Sequence, residues 1–165
     1  MRNAIITGSF DPITSGHADL ISRAARMFDH VTVVILANTE KAGGAFVPAD
    51  RLTLVNAAVE ELGLSNVSAM LYGGLTSDAA KMLGAEFIVR GARNASDFDY
   101  ELNLSLIMKR FDPVLETVIL PTDPRLSAIS STYVRDLLKY GCDLGDAVPE
   151  SCREAMTEMY RRNHP

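Results

Sequence analysis

The stretch that decides the fold of this chain is its first turn, Gly8-Ser9-Phe10-Asp11-Pro12-Ile13-Thr14-Ser15-Gly16-His17. The short apolar run before it, Ala4 to Thr7, predicts a buried strand, and the amphipathic run Leu20 to Phe28 predicts a helix. A glycine-bearing turn therefore leaves a strand, and His17 opens a helix. Backbone N–H groups at a helix N-terminus lack intrahelical partners and carry partial positive charge, so this turn is suited to phosphate.

The same turn has a purely structural interpretation. In that interpretation Ser15 is the N-cap and His17 is a solvated first-turn residue. In the functional interpretation the Ser9 hydroxyl and His17 bond oxygens of a polyphosphate. A lone histidine near a cap favours the structural interpretation. The strand–turn–helix context, together with a second phosphate-like motif downstream, favours the second.

Strand-like and helix-like runs alternate along the rest of the chain. Further strands are predicted at 30–37, 67–71, 86–90 and 117–120, and further helices at 48–62, 76–83, 97–111, 130–140 and 149–162. This alternation predicts one α/β domain over 1–165, with a doubly wound five-stranded parallel sheet and a C-terminal helical tail. Ligands of such sheets bind beyond the carboxyl ends of the strands, where the loops 38–47, 91–97 and 121–129 are expected.

Composition limits the classes of function. The chain has 165 residues, of which 47% are hydrophobic, and a net charge of −5. The negative charge argues against a broad nucleic-acid surface. No apolar run reaches the ~18 residues of a membrane span, and no signal peptide is visible, so a cytoplasmic protein without membrane contact is expected. Cys142 and Cys152 have no metal-binding spacing, so neither a disulfide nor a zinc site is expected.

Three charged side chains near the predicted ligand side, those of Arg90, Arg93 and Glu101, could carry chemistry. Arg90 and Arg93 flank a strand end, where they either direct planar donors to phosphate oxygens or are simply solvated, two interpretations about equally supported. Glu101, in the first turns of the long helix, either complements the helix dipole or accepts bonds from a ribose or an adenine amine.

The second strong signal is the segment Ser127 to Arg135. Its three consecutive hydroxyls, Ser130, Ser131 and Thr132, precede a helix with Arg135 one turn in. An N-cap explains one hydroxyl but not all three with the arginine. Hydroxyls and unpaired N–H groups together would bind the outer phosphates of a nucleotide.

These strings resemble those of a known superfamily. Thr14-Ser15-Gly16-His17 resembles the T/H-x-G-H signature of nucleotidyltransferases, and Ile129 to Arg135 resembles their I-S-S-T-x-x-R motif. Gly8-Ser9-Phe10-Asp11-Pro12 resembles the phosphopantetheine adenylyltransferase family. The likeness runs from Ala4 to about Pro149. Further landmarks stand in family order, at Phe28 to Val31, Lys41, Gly74 to Thr76, Arg90 to Arg93, Asp97 to Glu101 and Glu116 to Val118.

The resemblance implies transfer of AMP from ATP to 4′-phosphopantetheine, giving dephospho-CoA and pyrophosphate, with Mg²⁺ as cofactor. The nucleophile is already a phosphate anion, so no general base is required and the protein's work is positioning and charge stabilisation. The resemblance makes His17 the catalytic residue at the α-phosphate. It assigns the acceptor to Ser9, Lys41, Thr76 and Arg90. It assigns ATP to Ser9, Phe10, His17, Gly91, Ala92, Arg93, Glu101, Leu126, Ser127, Ala128, Ile129, Ser130, Ser131 and Thr132, with no protein-held metal.

The resemblance also implies a homohexamer built from trimers and feedback inhibition by CoA. Two rival functions remain open. One is a nucleotidyltransferase of the same fold acting on nicotinate mononucleotide or a cytidylyl acceptor, although the short chain and the Asp97 to Glu101 string argue against it. The other is a regulatory nucleotide-binding module without catalysis, which would have no reason to bring Lys41 and Arg90 to a second anion.

Overall fold

The computed structural model of the chain describes residues 1–37 and 44–164. The strands are β1 (Asn3–Gly8), β2 (His30–Leu36), β3 (Val67–Tyr72), β4 (Phe87–Ala92) and β5 (Glu116–Pro121). The helices are α1 (Ser15–Ala25), α2 (Pro48–Glu61), α3 (Thr76–Met82), α4 (Ala95–Phe111), α5 (Ser131–Lys139) and α6 (Arg153–Asn163). Short 3-10 turns lie at Pro124–Leu126, Gly145–Ala147 and Glu150–Cys152.

The five strands form one parallel sheet in the order β3-β2-β1-β4-β5. The chain winds outward from β1 to β3, crosses back, and continues from β4 to β5, so β1 and β4 lie at the point where the strand order reverses. β1 pairs with β2 over six residues but with β4 over only two. Their carboxyl ends therefore diverge and open a crevice, as expected for ligand sites in this architecture. The predicted doubly wound α/β fold is confirmed.

Helices cover both faces of the sheet. On one face, α1, α2, α5 and α6 pack on the larger hydrophobic cluster, which includes Ile21, Leu54, Val134 and Met156. On the other face, α3 and α4 contribute to a smaller cluster around Ile5, Val34, Ile88 and Leu115. Alternating residues of β1 serve the two clusters, because successive side chains of a strand point to opposite faces. The first face therefore holds most of the core.

Several helix boundaries differ from the expectation. Helix α1 begins at Ser15, five residues before the apolar repeat, because its first turn borders the crevice instead of the core. Helix α4 begins at Ala95, capped by Asn94, whose side chain accepts from the Asp97 N–H at 2.9 Å. The predicted helix at 149–162 begins with a 3-10 turn, and only Arg153–Asn163 is α-helical.

Helix α4 is exposed along most of its length. Of its 17 residues only Glu101 is buried. Apolar side chains with 43–60% of their surface exposed lie along it, namely Phe98, Leu102, Leu106, Ile107 and Phe111. Within the described residues, no helix is long and apolar enough to cross a membrane.

Candidate active site

A cleft of about 660 Å³ opens at the carboxyl ends of β1 and β4. The turn after β1, the first helical turns of α1 and α5, the end of β4 and the start of α4 all border it. Two helices of 11 and nine residues thus direct their N-termini into one crevice. Aligned peptide dipoles and N–H groups without intrahelical acceptors make each end attractive to an anion. The volume falls in the usual range of small-molecule sites.

His17 is held at the start of α1 by reciprocal capping bonds with Thr14. The Thr14 Oγ1 accepts from the His17 N–H at 3.3 Å, and the Thr14 N–H donates to His17 Nδ1 at 3.1 Å. A backbone N–H can only donate, so Nδ1 must be unprotonated and the proton of the neutral ring must lie on Nε2. Thr14, not Ser15, is therefore the N-cap; the Ser15 hydroxyl instead donates to Asp146 O at 2.6 Å.

The environment of His17 keeps the ring neutral. Burial first, then the charges of Arg90 and Arg93, lower its pKa from 6.5 to about 4. On its other side the ring contacts Phe10, with the two ring centroids 4.9 Å apart. The Phe10 side chain is buried, and its backbone adopts the left-handed conformation, with φ 46°. This conformation turns the chain sharply next to His17. At neutral pH His17 is thus a fixed, uncharged N–H donor.

Arg90 is the most completely bonded cation of the cleft. Its Nε and Nη2 donate to the two Glu101 carboxylate oxygens, both at 2.7 Å, and its Nη1 donates to the carbonyl and hydroxyl oxygens of Thr7. The arginine side chain is 20% exposed and the glutamate 9%. Four donations use four of the five N–H groups, so one Nη2 hydrogen remains for a ligand.

Two further arginines border the cleft in pairs with carboxylates. Arg93 donates through its N–H and Nε to Asp97 Oδ2, at 3.1 and 2.9 Å, and this bonding lowers the pKa of Asp97. Arg23 donates from Nη1 to Asp19 at 3.2 Å and to Pro121 O at 2.8 Å. In each guanidinium, only the N–H donors that are not bonded to its carboxylate are available for a ligand.

The hydroxyls at the start of α5 all have partners within the protein, and capping accounts for only one of them, as the sequence analysis expects. Ser130 is the N-cap and its Oγ accepts from the Tyr133 N–H; the Ser131 Oγ donates to Pro12 O at 2.8 Å. Arg135 donates to Thr132 Oγ1 at 2.9 Å and to Asp11 O at 2.7 Å. The Ser130 and Thr132 hydroxyls only accept in these bonds, so each keeps its own proton for an oxygen ligand.

The structure brings most of the predicted residues together. The cleft is lined by Ser9, Phe10, His17, Arg90, Gly91, Arg93, Glu101, Ile129, Ser130, Ser131 and Thr132. Ala92 is buried at the end of β4, and Thr76 is the first residue of α3, away from this lining. Leu126, Ser127 and Ala128 lie in the segment that leads from β5 to α5, outside the lining. Lys41 lies outside the described residues.

The sequence interpretation missed several cleft residues. Gly16, Leu20 and Arg23 share one face of α1 at helical spacing, and that face borders the cleft. The amphipathic run predicts a helix, but its pattern gives Arg23 no role at the cleft. Thr14 has no assigned role in the sequence analysis. A capping residue followed three positions later by a polar side chain is the pattern of reciprocal capping, and Thr14 and His17 have this spacing.

The fold and the cleft define a nucleotidyltransferase, and comparison with known proteins agrees. The family model for cytidylyltransferase-like proteins matches residues 5–137. A putative nicotinate-nucleotide adenylyltransferase from Vibrio parahaemolyticus superposes with a TM-score of 0.71, covering 98% of this chain and 96% of its own, at 21% identity. That likeness concerns the fold alone.

Curated relatives place the chain more narrowly. It is 37% identical to a phosphopantetheine adenylyltransferase of Levilactobacillus brevis over 99% of this chain and 100% of the relative. It is 39% identical to the proteins of that name from Staphylococcus haemolyticus, over 96% and 97% of the two chains, and Corynebacterium diphtheriae, over 98% and 99%. The chain belongs to the phosphopantetheine adenylyltransferase family.

Proposed function

We propose that this chain transfers the adenylyl group of ATP to 4′-phosphopantetheine, giving dephospho-CoA and pyrophosphate. The observation that supports it most is the cleft, where two helix N-termini, three arginines and one neutral histidine surround a space of nucleotide size, in a chain of this family. A phosphate oxygen of the acceptor attacks the α-phosphorus of ATP, the bond to the bridging oxygen breaks, and pyrophosphate leaves. No proton has to be removed from the nucleophile, so the protein contributes position and charge stabilisation.

The proposed roles of His17, Arg90, Ser130 and Thr132 use the donors that their bonds within the protein leave unused, and those of Ser9 and Lys41 rest on the family resemblance. His17 Nε2–H donates to a non-bridging oxygen of the α-phosphate. The α5 N-terminus, with the Ser130 and Thr132 hydroxyls and Arg93, holds the β and γ phosphates. Ser9 contacts both reacting phosphates, and Lys41 and Arg90 hold the acceptor phosphate. Glu101 lies beside the nucleotide as the counter-ion of Arg90.

Mg²⁺ is proposed as an ion that ATP brings with it. Within the described part of the chain, no group of three or more His, Cys, Asp or Glu side chains is arranged to hold a metal. The cleft carboxylates are paired with arginines, whereas Mg²⁺ typically keeps several waters and binds through substrate phosphates. The residues present therefore fit an ion that would arrive bound to the phosphates of ATP, with the described side chains binding the nucleotide and not the metal. When bound, it would neutralise phosphate charge.

The assay for this function is release of pyrophosphate from ATP with a panel of acceptors. We expect release with 4′-phosphopantetheine and none above background with nicotinate mononucleotide, or with CTP and a cytidylyl acceptor. Release with nicotinate mononucleotide alone would favour the first rival function. ATP binding in calorimetry without release for any acceptor would favour the regulatory module.

We further propose that α4 forms a subunit interface, in a homohexamer as the family resemblance implies. A 17-residue helix with one buried residue leaves apolar surface on more than one side. A monomer needs to bury only one apolar stripe of such a helix, so the remaining apolar side chains suit a second copy of the chain.

Leu106→Asp tests this interface, because Leu106 is 60% exposed on α4 and a carboxylate there would be desolvated on association. We expect the parent to be an oligomer and the variant to dissociate, as measured by light scattering. Tyr140→Asp is the matched control, since Tyr140 is 73% exposed at the end of α5 and should leave the assembly intact. A monomeric parent at micromolar concentration would contradict the interface.

Inhibition by CoA is proposed on chemical grounds. A molecule that joins an adenine nucleotide to a phosphopantetheine arm presents both substrate halves at once, so it would compete with each of them. A cytoplasmic location stays a prediction from the sequence.

A further inference from the structure

Asp11 belongs to the turn that carries Ser9, and its carboxylate bonds a distant part of the chain. Its carboxylate accepts backbone N–H bonds from Ala45 at 3.0 Å and Phe46 at 2.9 Å, residues 34 and 35 positions away in the chain. Arg51, in the first turns of α2, adds an ion pair, with its Nε 3.3 Å from Asp11 Oδ1. Both side chains are largely buried, at 13% and 12% exposure. One carboxylate thus joins the turn after β1 to the segment that enters α2.

Arg51 extends this link to the cleft. Its Nε also donates to Phe46 O at 2.7 Å, and its Nη1 donates to Ser9 O at 3.4 Å. The carboxylate and the guanidinium therefore hold the same two segments from both sides, the turn at Ser9 to Asp11 and the segment at Ala45 to Phe46. A network of charged hydrogen bonds with little exposure fixes geometry more strongly than isolated surface pairs do.

Helix α5 holds the same turn from the opposite side. Arg135 donates to Asp11 O, and the Ser131 hydroxyl donates to Pro12 O. The main chain of the turn is thereby bonded to the helix whose N-terminus is proposed to receive the outer phosphates. The turn at Ser9 is therefore held by two sets of hydrogen bonds. One set is made by the Asp11 carboxylate, and the other by the backbone carbonyls of Asp11 and Pro12.

Gly44 shows how closely the chain packs on this pair. A Cβ at Gly44 would lie 1.8 Å from Arg51 Nη2 and 3.1 Å from Asp11 Oδ2. Any side chain there would displace the guanidinium. The contact at residue 44 is therefore part of the same arrangement, and it supplies an independent way to disturb it without changing any charge.

We propose that Asp11 is a positioning residue for the reaction. With Arg51 it fixes the Ser9 main chain against the segment that enters α2, so that Ser9 keeps one position in the cleft while the two phosphates react. The inference rests on the proposed contact of Ser9 with the reacting phosphates. Asp11 itself touches neither substrate, and its effect is exerted through the position of Ser9.

The test compares steady-state kinetics of Asp11→Asn, Arg51→Gln and the double variant. In Asp11→Asn the amide NH2 group faces one of the two backbone N–H groups, so that two donors meet and that hydrogen bond is lost. The substitution also removes the ion pair with Arg51. We expect kcat with 4′-phosphopantetheine to fall about tenfold to a hundredfold in each single variant, since small misplacement of reacting groups costs that much. The dissociation constant for ATP, measured by calorimetry without acceptor, should stay within about threefold. Because the two residues act as one unit, the double variant should lose little more than the worse single.

Asp50→Asn is the matched control. Asp50 is the neighbour of Arg51 in the same helical turn and is similarly buried, at 11% exposure, but it bonds Arg162 and Asn163 of α6 instead of the turn. We expect its kcat to stay near that of the parent. An equal loss in Asp50→Asn would mean that loosening of α2 alone explains the effect and would overturn the proposal, as would additive losses in the double variant.

Two more variants keep the test decisive. If Asp11→Asn does not fold, Gly44→Ala takes its place, with the same expected loss of kcat; parent-like kcat in the folded variant would overturn the proposal. Ser9→Ala separates the two levels of inference. An impaired Ser9→Ala beside a parent-like Asp11→Asn refutes the positioning role alone, whereas a parent-like Ser9→Ala refutes the underlying assignment of Ser9.

Discussion

His17→Ala is expected to lower kcat by roughly 10²–10³, about 2.7–4 kcal/mol of transition-state stabilisation, with little change in ATP or acceptor affinity. Negative charge on the α-phosphate oxygens is redistributed only as the bond to pyrophosphate is exchanged. A fixed Nε2–H donor aimed there is worth more in the transition state than in the ground state, so it acts on kcat. Single-turnover kinetics on the folded variant measure this effect directly.

Ser15→Ala is the control for this prediction. Ser15 lies in the same helical turn, but its hydroxyl bonds Asp146 O and not a cleft residue. Its rate should stay within a few-fold of the parent. A His17→Ala rate within that same range would remove the histidine from the mechanism and leave the helix N-termini, serines and arginines to stabilise the α-phosphate.

The lowered pKa of His17 adds a pH dependence to the same prediction. With a pKa of about 4 in the free enzyme the ring stays neutral through the mildly acidic range, so kcat/KM should show no titration of this histidine near pH 6.5. Nitrogen chemical shifts should report the Nε2–H tautomer at neutral pH. The unfolded chain binds the proton first as the pH falls. The stability that His17 contributes is therefore complete above pH 6.5 and is lost as the pH falls towards 4.

Arg90→Met is expected to cost both stability and use of the acceptor. It leaves the Glu101 carboxylate, 9% exposed, without its partner, so the free energy of unfolding should fall by about 3 kcal/mol, the lower end for broken buried pairs. Losing a charged donor to the acceptor phosphate should reduce kcat/KM for 4′-phosphopantetheine about tenfold to a hundredfold. ATP affinity should change little.

A second substitution separates the two effects of Arg90. Arg90→Met with Glu101→Met removes the whole ion pair, so chemical denaturation should show most of the lost stability restored. The acceptor kcat/KM should stay low in the double variant, and Lys41→Ala should lower it as well. If calorimetry shows that ATP affinity collapses in Arg90→Met while acceptor use survives, the assignment of Arg90 to the acceptor is wrong.

The sequence predicted the elements well because their signals are local. The β-branched run at 30–37 and the turn at Gly8 to His17 carry hydrophobic period and turn chemistry within a few residues. Helix α1 began earlier than expected because Gly16, His17 and Asp19 border the cleft, where no apolar repeat is required. The start of the C-terminal helix also moved, by four residues, because Glu150–Cys152 form a 3-10 turn.

The pairing of the cleft side chains was less accessible from the sequence. Arg90 bonds Thr7 only because β4 lies beside β1. The hydrophobic periodicity of a strand does not predict which strand lies next to it. The Asp11 bonds to Ala45 and Phe46 depend in the same way on how the loop after β2 returns. The sequence therefore indicated many of the residues that line the cleft, while their mutual bonds required the three-dimensional arrangement.

The reciprocal capping of Thr14 and His17 has an evolutionary consequence. In many enzymes the reactive residues are held at some cost to the fold, so replacing them raises stability while activity falls. Here the atoms that cap α1 are the atoms that orient His17, the proposed donor to the α-phosphate, and losing a cap typically costs about 1 kcal/mol. Selection for a durable protein and selection for fast turnover therefore favour the same two side chains, and drift at Thr14 is opposed by both pressures at once.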